Sequence, residues 1–313
     1  MATEGDDEDE FWQLALHPNE KEAFRAESDS DGEETSRSIT YNVPWKGGIF
    51  PLKLSPLPDR DGIWSPLGAQ AWHASSLLVA YLLQHLNIEE EKGNDASNEE
   101  KPRSLLSQHL DSWLADSPKQ SSFTALELGS GAVGLAGIVL GLLLGEHLQR
   151  PPTVILTDNE PNVLRNLQKN VHQTLDHWKE KEIDLPNFRV EHLDWNDYSS
   201  HQHTSSLQLV IGSELVYTQE TTAHACAQVV LSILHQHPDV LVFILQVTDR
   251  DGWKNVFLPA LRGHADIKVV EEPMEDFSLH QVGSQLIPPG GTLDRFAFGG
   301  CFIFSKSSLL VKK

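Results

Sequence analysis

Three glycines occur at short spacing in the segment ELGSGAVG, where Gly129, Gly131 and Gly134 directly follow an apolar, strand-like run. In such a segment the first glycine permits a tight turn and the second lets a ligand approach the backbone. The third lets a helix pack closely on a strand, and the start of that helix presents N–H groups and the positive end of a dipole. The spacing therefore predicts a turn that binds a nucleotide-like ligand.

Two carboxylates narrow the choice of ligand. Asp158 ends the apolar run TVILTD and lies 27 positions after Gly131, near the place where an acidic residue accepts hydrogen bonds from ribose hydroxyls. Glu127, at the tip of the preceding strand, would repel a dinucleotide pyrophosphate and attract a cationic amino acid. The pair favours S-adenosylmethionine over NAD, with a plain glycine-rich turn as the structural alternative.

Four motifs in the order ELGSGAVG, LTDNEP, LDW and IGSELVY resemble methyltransferase family 16, the seven-strand protein methyltransferases that include many protein-lysine methyltransferases. The resemblance runs from about Gly68 to the C-terminus and implies S-adenosylmethionine as cofactor. It implies cofactor contacts from the following residues: Trp72, Gly129, Ser130, Gly131, Asp158, Asn159, Asp194, Trp195 and Ser213.

The resemblance also implies individual roles for these residues. Trp72 would border the cofactor from the helix before the first strand of the sheet. Asp158 would hold the ribose hydroxyls with Asn159 close by, and Asp194 and Trp195 would flank the adenine. Each role has a structural alternative, because tryptophans also fill cores and carboxylates also cap the ends of strands.

The segment ELVY, from Glu214 to Tyr217, resembles the family's acidic-x-x-aromatic signature at the acceptor pocket. It follows the apolar run LQLVIG, whose carboxyl end lies where ligands bind in sheets of this kind. If the loop begins a helix, the two residues share one face. Glu214 and Tyr217 are therefore the predicted catalytic residues, which would guide a cationic amine and contact its stem. A helix-start carboxylate and a packing tyrosine are the alternatives.

The leading functional hypothesis is a protein-lysine methyltransferase. A methyltransferase for another protein residue or for a small molecule is one alternative, and a non-catalytic cofactor-binding assembly protein is another. No metal site is predicted, because the pairs His201-Gln-His203 and His235-Gln-His237 lack a Cys or Glu partner at ligand spacing. A solvated loop is the favoured interpretation of both histidine pairs.

Composition limits the expected partners and location. The formal net charge is -21, and without a basic stripe we expect a protein substrate rather than nucleic acid. Cys226 and Cys301 have no paired spacing, which indicates a reducing compartment. The longest apolar run, Ala132 to Gly145, is too short to span a bilayer. A cytoplasmic and possibly also nuclear protein without a membrane partner is expected, and the oligomeric state stays open.

Strands alternate with helices from Phe123 onward, which predicts a doubly wound, Rossmann-like α/β sheet of seven strands. The runs Ile267 to Glu271 and Phe296 to Phe304 predict a final antiparallel pair, and Ile39 to Leu57 predicts an N-terminal β extension. Residues 1–37 are predicted to be an acidic disordered arm. Residues 38–313 are predicted to form one class I methyltransferase domain with an inserted loop at 89–120.

Overall fold

The computed structural model describes residues 38–45, 48–55, 73–86, 104–116, 123–148, 150–179, 185–200, 206–217, 219–273 and 298–308. The predicted acidic arm at 1–37 and Trp72 lie outside the described residues. Of the predicted inserted loop at 89–120, the part from 104 to 116 is described and is largely helical.

The strands are, in chain order, β1 (Ile39–Trp45), β2 (Gly48–Leu54), β3 (Thr124–Leu128), β4 (Thr153–Asp158), β5 (Asn187–His192), β6 (Leu209–Ser213), β7 (Leu241–Val247), β8 (Ile267–Pro273) and β9 (Phe298–Ser305). The helices are α1 (His73–Leu86), α2 (Leu105–Asp116), α3 (Leu135–His147), α4 (Pro161–Lys179), α5 (Glu220–Gln236) and α6 (Leu258–Arg262).

Seven strands form one sheet in the order β5-β4-β3-β6-β7-β9-β8. The strands from β5 to β7 run parallel, while β9 pairs antiparallel with both β7 and β8. This topology confirms the predicted α/β class and the final antiparallel pair. The carboxyl ends of β3, β4 and β6 therefore meet along one edge of the sheet.

The pattern of buried residues explains why these segments form strands and helices. Strands β3 and β7 are buried along their whole length, as expected for parallel strands covered on both faces, and both read as nearly continuous apolar runs. Helix α4 is amphipathic, since Val163, Leu167 and Val171 recur at helical spacing on its buried side. Helix α3 is apolar all round and lies in the core.

The N-terminal β extension is confirmed as an antiparallel hairpin of β1 and β2. Its end is tied to α4, because the Ser55 N–H donates to Asn170 Oδ1 at 2.8 Å. Asn166 Nδ2 in turn donates to the carbonyl oxygens of Ser55 and Ala132, at 2.6 and 2.9 Å. Buried asparagines thus join the hairpin to the glycine-rich segment.

Two helices begin irregularly. Helix α3 begins at Leu135, because Gly134 precedes it in the left-handed conformation with φ 63°. Helix α6 directly follows a π-helical turn, Trp253–Phe257. None of the described helices combines the length and apolar character needed to cross a membrane.

Candidate active site

The glycine-rich turn joins β3 to α3 at the carboxyl edge of the sheet. Gly129 and Gly131 have φ of 61° and 63°, a left-handed conformation that other residues rarely adopt. A Cβ added at Gly134 would lie 2.3 Å from Leu167 of α4. The third glycine therefore permits close packing, chiefly between the helix start and a neighbouring helix.

Ser130 links the ends of two neighbouring strands. Its N–H donates to the Thr157 carbonyl oxygen at 2.7 Å, and its hydroxyl accepts from the Thr157 N–H at 3.1 Å. The Thr157 hydroxyl donates to the Glu127 carbonyl oxygen at 2.6 Å. The Ser130 hydroxyl, for which the resemblance implies a cofactor contact, thus also holds the turn against β4.

Asp158 ends β4 and turns its carboxylate toward the glycine-rich turn. Its Oδ2 accepts from the Gly131 N–H at 3.0 Å, while Oδ1 accepts from the N–H groups of Asn159 and Glu160 at 2.8 and 3.3 Å. Burial raises the pKa of Asp158, and these three donors oppose the rise. A carboxylate has about four acceptor positions, so Asp158 keeps capacity for a ligand hydroxyl. The side chain of Asn159 lies exposed beside it.

Glu127 is almost completely buried, with 2% of its surface exposed. Its Oε2 accepts from the Gly137 N–H of α3 at 3.2 Å, and a Cβ at Gly137 would lie 2.5 Å from that oxygen. Burial raises the pKa of Glu127 from 4.5 to about 7. The carboxylate therefore lies beneath α3, and Gly137, which the sequence analysis missed, makes room for it.

Trp195 and Leu215 lie over Gly129. A Cβ added at Gly129 would lie 3.7 Å from Trp195 Cζ2 and 3.0 Å from Leu215 Cδ2. Asp194 Oδ1 accepts from the backbone N–H and the side-chain amide of Asn196, at 2.8 and 3.0 Å. The structure thus brings Trp195 to the turn, while Asp194 shapes the chain that follows β5.

Ser213 is the last residue of β6, and its hydroxyl lies 2.8 Å from the hydroxyl of Ser75 in α1. This hydrogen bond joins residues that are 138 positions apart. The start of α1 is therefore fixed against the carboxyl end of a central strand. Trp72 precedes α1 in the sequence but lies outside the described residues.

Glu214 directly follows β6 and is the one non-glycine residue with positive φ, 50°, in the part of the chain that the structure describes. Its Oε1 accepts from Gln246 Nε2 at 2.5 Å and from the Val247 N–H at 3.0 Å. Its Oε2 accepts from the Arg250 guanidinium at 3.1 Å. The carboxylate is 5% exposed and points into the protein, with both oxygens engaged.

Tyr217 contacts the same arginine. Arg250 Cζ lies 5.2 Å from the Tyr217 ring centroid, within the range of a cation–π contact. The pKa of Tyr217 is raised to about 12, chiefly by burial and also by the Glu214 charge, while Arg250 opposes the rise. The loop at 214–217 does not begin a helix, since α5 begins at Glu220. The predicted pair is instead joined through Arg250.

Two residues at the end of β7 complete this site, and the sequence analysis missed both. Gln246 holds the loop, because its Oε1 accepts from the Val216 N–H at 3.1 Å and its Nε2 donates to the Val216 carbonyl oxygen at 2.8 Å. Arg250 lies three residues beyond the end of β7. The strand order could have identified Gln246 and Arg250, because β6 and β7 pair in parallel and their carboxyl ends lie side by side.

The groups around the glycine-rich turn suit a ligand that combines an adenosine with an amino acid. Among the described residues, no lysine or arginine forms an ion pair with Glu127 or Asp158. Uncompensated carboxylates repel phosphate and attract an ammonium group. Asp158 offers an acceptor for ribose hydroxyls, and the exposed part of Trp195 offers an aromatic face. The residues therefore fit S-adenosylmethionine better than a dinucleotide.

The chain is similar to several solved structures, whereas no curated protein matches it. One similar solved structure is the CMeT domain of the citrinin polyketide synthase, with 12% identity, 65% of this chain and 52% of that chain covered, and a TM-score of 0.41. Another is the O-methyltransferase TomG from Streptomyces achromogenes in complex with SAM, with 12% identity, 76% and 92% covered, and a TM-score of 0.38. The chain thus spans about half the length of the polyketide synthase domain.

A family described as lysine methyltransferase matches residues 60–263. The matched segment contains the glycine-rich turn, Asp158, the ELVY loop and Arg250. It therefore covers both the glycine-rich turn and the loop from Glu214 to Tyr217. The chain belongs to this family, methyltransferase family 16, and is an S-adenosylmethionine-dependent methyltransferase.

Proposed function

We propose that the protein methylates a lysine side chain of another protein. The observation that carries the proposal is the fixed loop from Glu214 to Tyr217 beside the glycine-rich turn, where Leu215 of that loop would meet a Cβ at Gly129 at 3.0 Å. The cofactor, when bound, supplies a methyl group on a sulfonium centre for an in-line displacement that needs no metal. The loop is then placed to present the acceptor.

A lysine amine must be neutral before it can accept a methyl group. With a pKa near ~10.4, deprotonation costs roughly 4 kcal/mol near neutral pH. A free carboxylate beside the amine would favour the charged ammonium and raise that cost. The pairing of Glu214 with Arg250, at 3.1 Å, balances the carboxylate charge within the protein. The acceptor side can therefore receive an amine without holding it protonated.

This arrangement divides the roles of the two predicted catalytic residues. Tyr217 is half-buried below the Arg250 guanidinium, and its ring is proposed to contact the acceptor. Glu214 has both oxygens engaged inside the protein, so we assign it as a positioning residue that acts through Arg250 and Gln246. Its positive φ supports this role, because strained backbone conformations persist where the surrounding structure over-determines them.

The charge of the chain supports a protein acceptor. A net charge of -21 favours encounter with a basic protein surface and disfavours a phosphate backbone. Transfer to a histidine, an arginine or a small molecule would use the same cofactor side. These alternatives are separated by the identity of the methylated product.

The test is transfer of radiolabelled methyl groups from the cofactor to an extract of the source cells. We expect label in protease-sensitive, nuclease-resistant material, and methyl-lysine after hydrolysis. Asp158→Ala should reduce cofactor binding and labelling together. Labelled methylhistidine, methylarginine, nucleic acid or small molecules from the wild-type protein would overturn the lysine assignment.

A further inference from the structure

Three side chains that can bind metal lie together at the edge of the sheet opposite the glycine-rich turn. His235 is in the last turn of α5, and His264 and Asp266 lie between α6 and β8. This is the edge at which β7 and β8 begin and β9 ends. Among the described residues, these three form a group whose ligand atoms all lie within 4.8 Å of one another.

The distances are close to those of a zinc site. His235 Nε2 lies 3.5 Å from Asp266 Oδ2, and the two imidazole centroids are 6.1 Å apart. Ligands about 2.0–2.2 Å from a tetrahedral zinc ion lie about 3.4 Å from one another. One pair already has this separation, and no pair must close by more than roughly 1.4 Å. Exposed side chains can make that change by rotation, without backbone movement.

The backbone beneath two of the ligands is well fixed. The His264 N–H donates to the Leu261 carbonyl oxygen at 3.1 Å, and the Ile267 N–H donates to the His264 carbonyl oxygen at 3.2 Å. The Lys306 N–H donates to the Asp266 carbonyl oxygen at 2.8 Å. Leu261 and Ile267 are buried on either side of the turn. The ligands therefore project from a scaffold that binding need not order.

We propose that His235, His264 and Asp266 bind a divalent transition-metal ion, for which zinc is the best match, and so tie the end of α5 to the start of β8. Two imidazoles and one carboxylate suit zinc, whereas magnesium and calcium prefer oxygen ligands throughout. Water completes the coordination, because all three side chains are exposed. The site lies away from the methyl-transfer site and supplies no step of that reaction.

The second histidine of the His235-Gln-His237 pair is not part of this group. Instead, His237 Nδ1 accepts from the Leu207 N–H at 3.5 Å, just before β6 begins. The partners that the fold provides lie 29 and 31 positions later in the chain. Lys306 Nζ donates to the Ala265 carbonyl oxygen at 2.6 Å and adds an opposing positive charge. Lys306→Ala should therefore bind the metal more tightly.

The experiment uses the full chain without a histidine tag and titrates zinc chloride by calorimetry. We expect one ion per chain and, at about a hundredfold excess over Kd, a Tm rise of about 5 °C, with no effect of magnesium. His235→Ala and His264→Ala should each bind at least tenfold more weakly. His224→Ala, which removes an exposed histidine from the same helix, should bind like the wild type.

Folding of the variants is checked separately by circular dichroism and by binding of S-adenosylhomocysteine, which the opposite edge of the sheet governs. If the wild type binds no stoichiometric zinc, the proposal fails. It also fails if His235→Ala, His264→Ala and His224→Ala bind zinc alike. Neither outcome bears on the lysine assignment.

Discussion

Glu127 and Glu214 are both buried glutamates at the carboxyl ends of neighbouring strands, β3 and β6, but their charges are balanced differently. Glu127 accepts from the Gly137 backbone N–H, and burial raises its pKa to about 7. Glu214 accepts from the Gln246 amide, a backbone N–H and the Arg250 guanidinium. The charge of Glu214 is therefore balanced within the protein by Arg250, whereas no ion pair with lysine or arginine balances Glu127 among the described residues.

This difference matches what each side of the site must do. The cofactor carries permanent positive charge, so an uncompensated carboxylate nearby contributes to binding it. The acceptor amine must lose its positive charge, so an uncompensated carboxylate there would oppose the reaction. Glutamate thus has opposite electrostatic roles at the two positions, and substitutions at Glu127 and Glu214 should distinguish these roles.

The largest effect is expected for Glu214→Gln. The amide cannot compensate Arg250, so the loop from Glu214 to Tyr217 should lose its fixed position. We expect turnover to fall roughly a hundredfold or more, with near-normal binding of S-adenosylhomocysteine. Loss of a charge-assisted hydrogen bond should also lower the free energy of unfolding by about 1.5–3 kcal/mol. Steady-state kinetics and calorimetry measure these effects.

Glu220→Gln provides the matched control, because Glu220 is an exposed glutamate at the start of α5. It should behave like the wild type in both measurements. Wild-type turnover for Glu214→Gln would remove Glu214 from the reaction altogether. A loss of cofactor affinity equal to the loss of turnover would place it on the cofactor side instead.

Asp158→Ala should weaken binding of S-adenosylhomocysteine about ten- to a hundredfold, because a charge-assisted hydrogen bond contributes roughly 1.5–3 kcal/mol. The variant also loses the carboxylate that orients the Gly131 N–H. Calorimetry gives the dissociation constant, and Asp176→Ala, an exposed position of α4, serves as control. Unchanged affinity would exclude Asp158 from the cofactor site.

Glu127→Gln should change the pH dependence of stability. The carboxyl has a pKa of 4.5 when unfolded and about 7 when folded, so the folded state binds more protons between these values. Stability therefore falls as pH rises from about 4.5 to 7 and stays lower above. Each unit of pKa shift corresponds to about 1.4 kcal/mol, which limits the pH-dependent change in the free energy of unfolding to about 3 kcal/mol. We expect about half of that change.

Urea unfolding at pH 5 and pH 8 measures this effect. Glu127→Gln should be more stable than the wild type at pH 8 and similar to it near pH 5, and should bind S-adenosylhomocysteine more weakly. Glu160→Gln changes an exposed glutamate and should keep the wild-type pH dependence. An identical pH dependence in Glu127→Gln would show that ligand-free Glu127 is already compensated.

The sheet and the turn could be predicted because their signals are local. Alternating apolar runs identified the strands, and the spacing of Gly129, Gly131 and Gly134 identified a turn whose backbone needs left-handed φ at each of them. The place of Asp158 beside the turn could be predicted for the same reason, since it directly ends an apolar strand. These features depend on neighbours within a few positions of the chain.

The acceptor side could not be predicted in the same way. Glu214 meets Arg250 from 36 positions away, and only the pairing of β6 with β7 brings them together. The positive φ of Glu214 turns its side chain inward, and no glycine or asparagine marks that conformation in the sequence. The sequence therefore left a helical start at 214–217 open, and only the long-range contacts exclude it.

The smallest and most diagnostic effect is expected for Arg250→Gln. This change keeps a hydrogen-bond donor for Glu214 but leaves the carboxylate charge uncompensated beside the acceptor. An amine is neutral above its pKa, and a nearby negative charge raises that pKa by about 1–3 units. Because the pair is partly exposed, with Arg250 27% exposed, we expect the amine pKa to rise by only about one unit. The kcat–pH profile should therefore shift by about one unit to higher pH. KM for the cationic substrate should fall, because Glu214 then attracts it.

Arg189→Gln, which removes the arginine of an ion pair with Glu191 on β5, should leave the profile unchanged. A uniform loss of kcat at every pH would show that Arg250 only holds the loop, and that charge balance at Glu214 does not govern the acceptor.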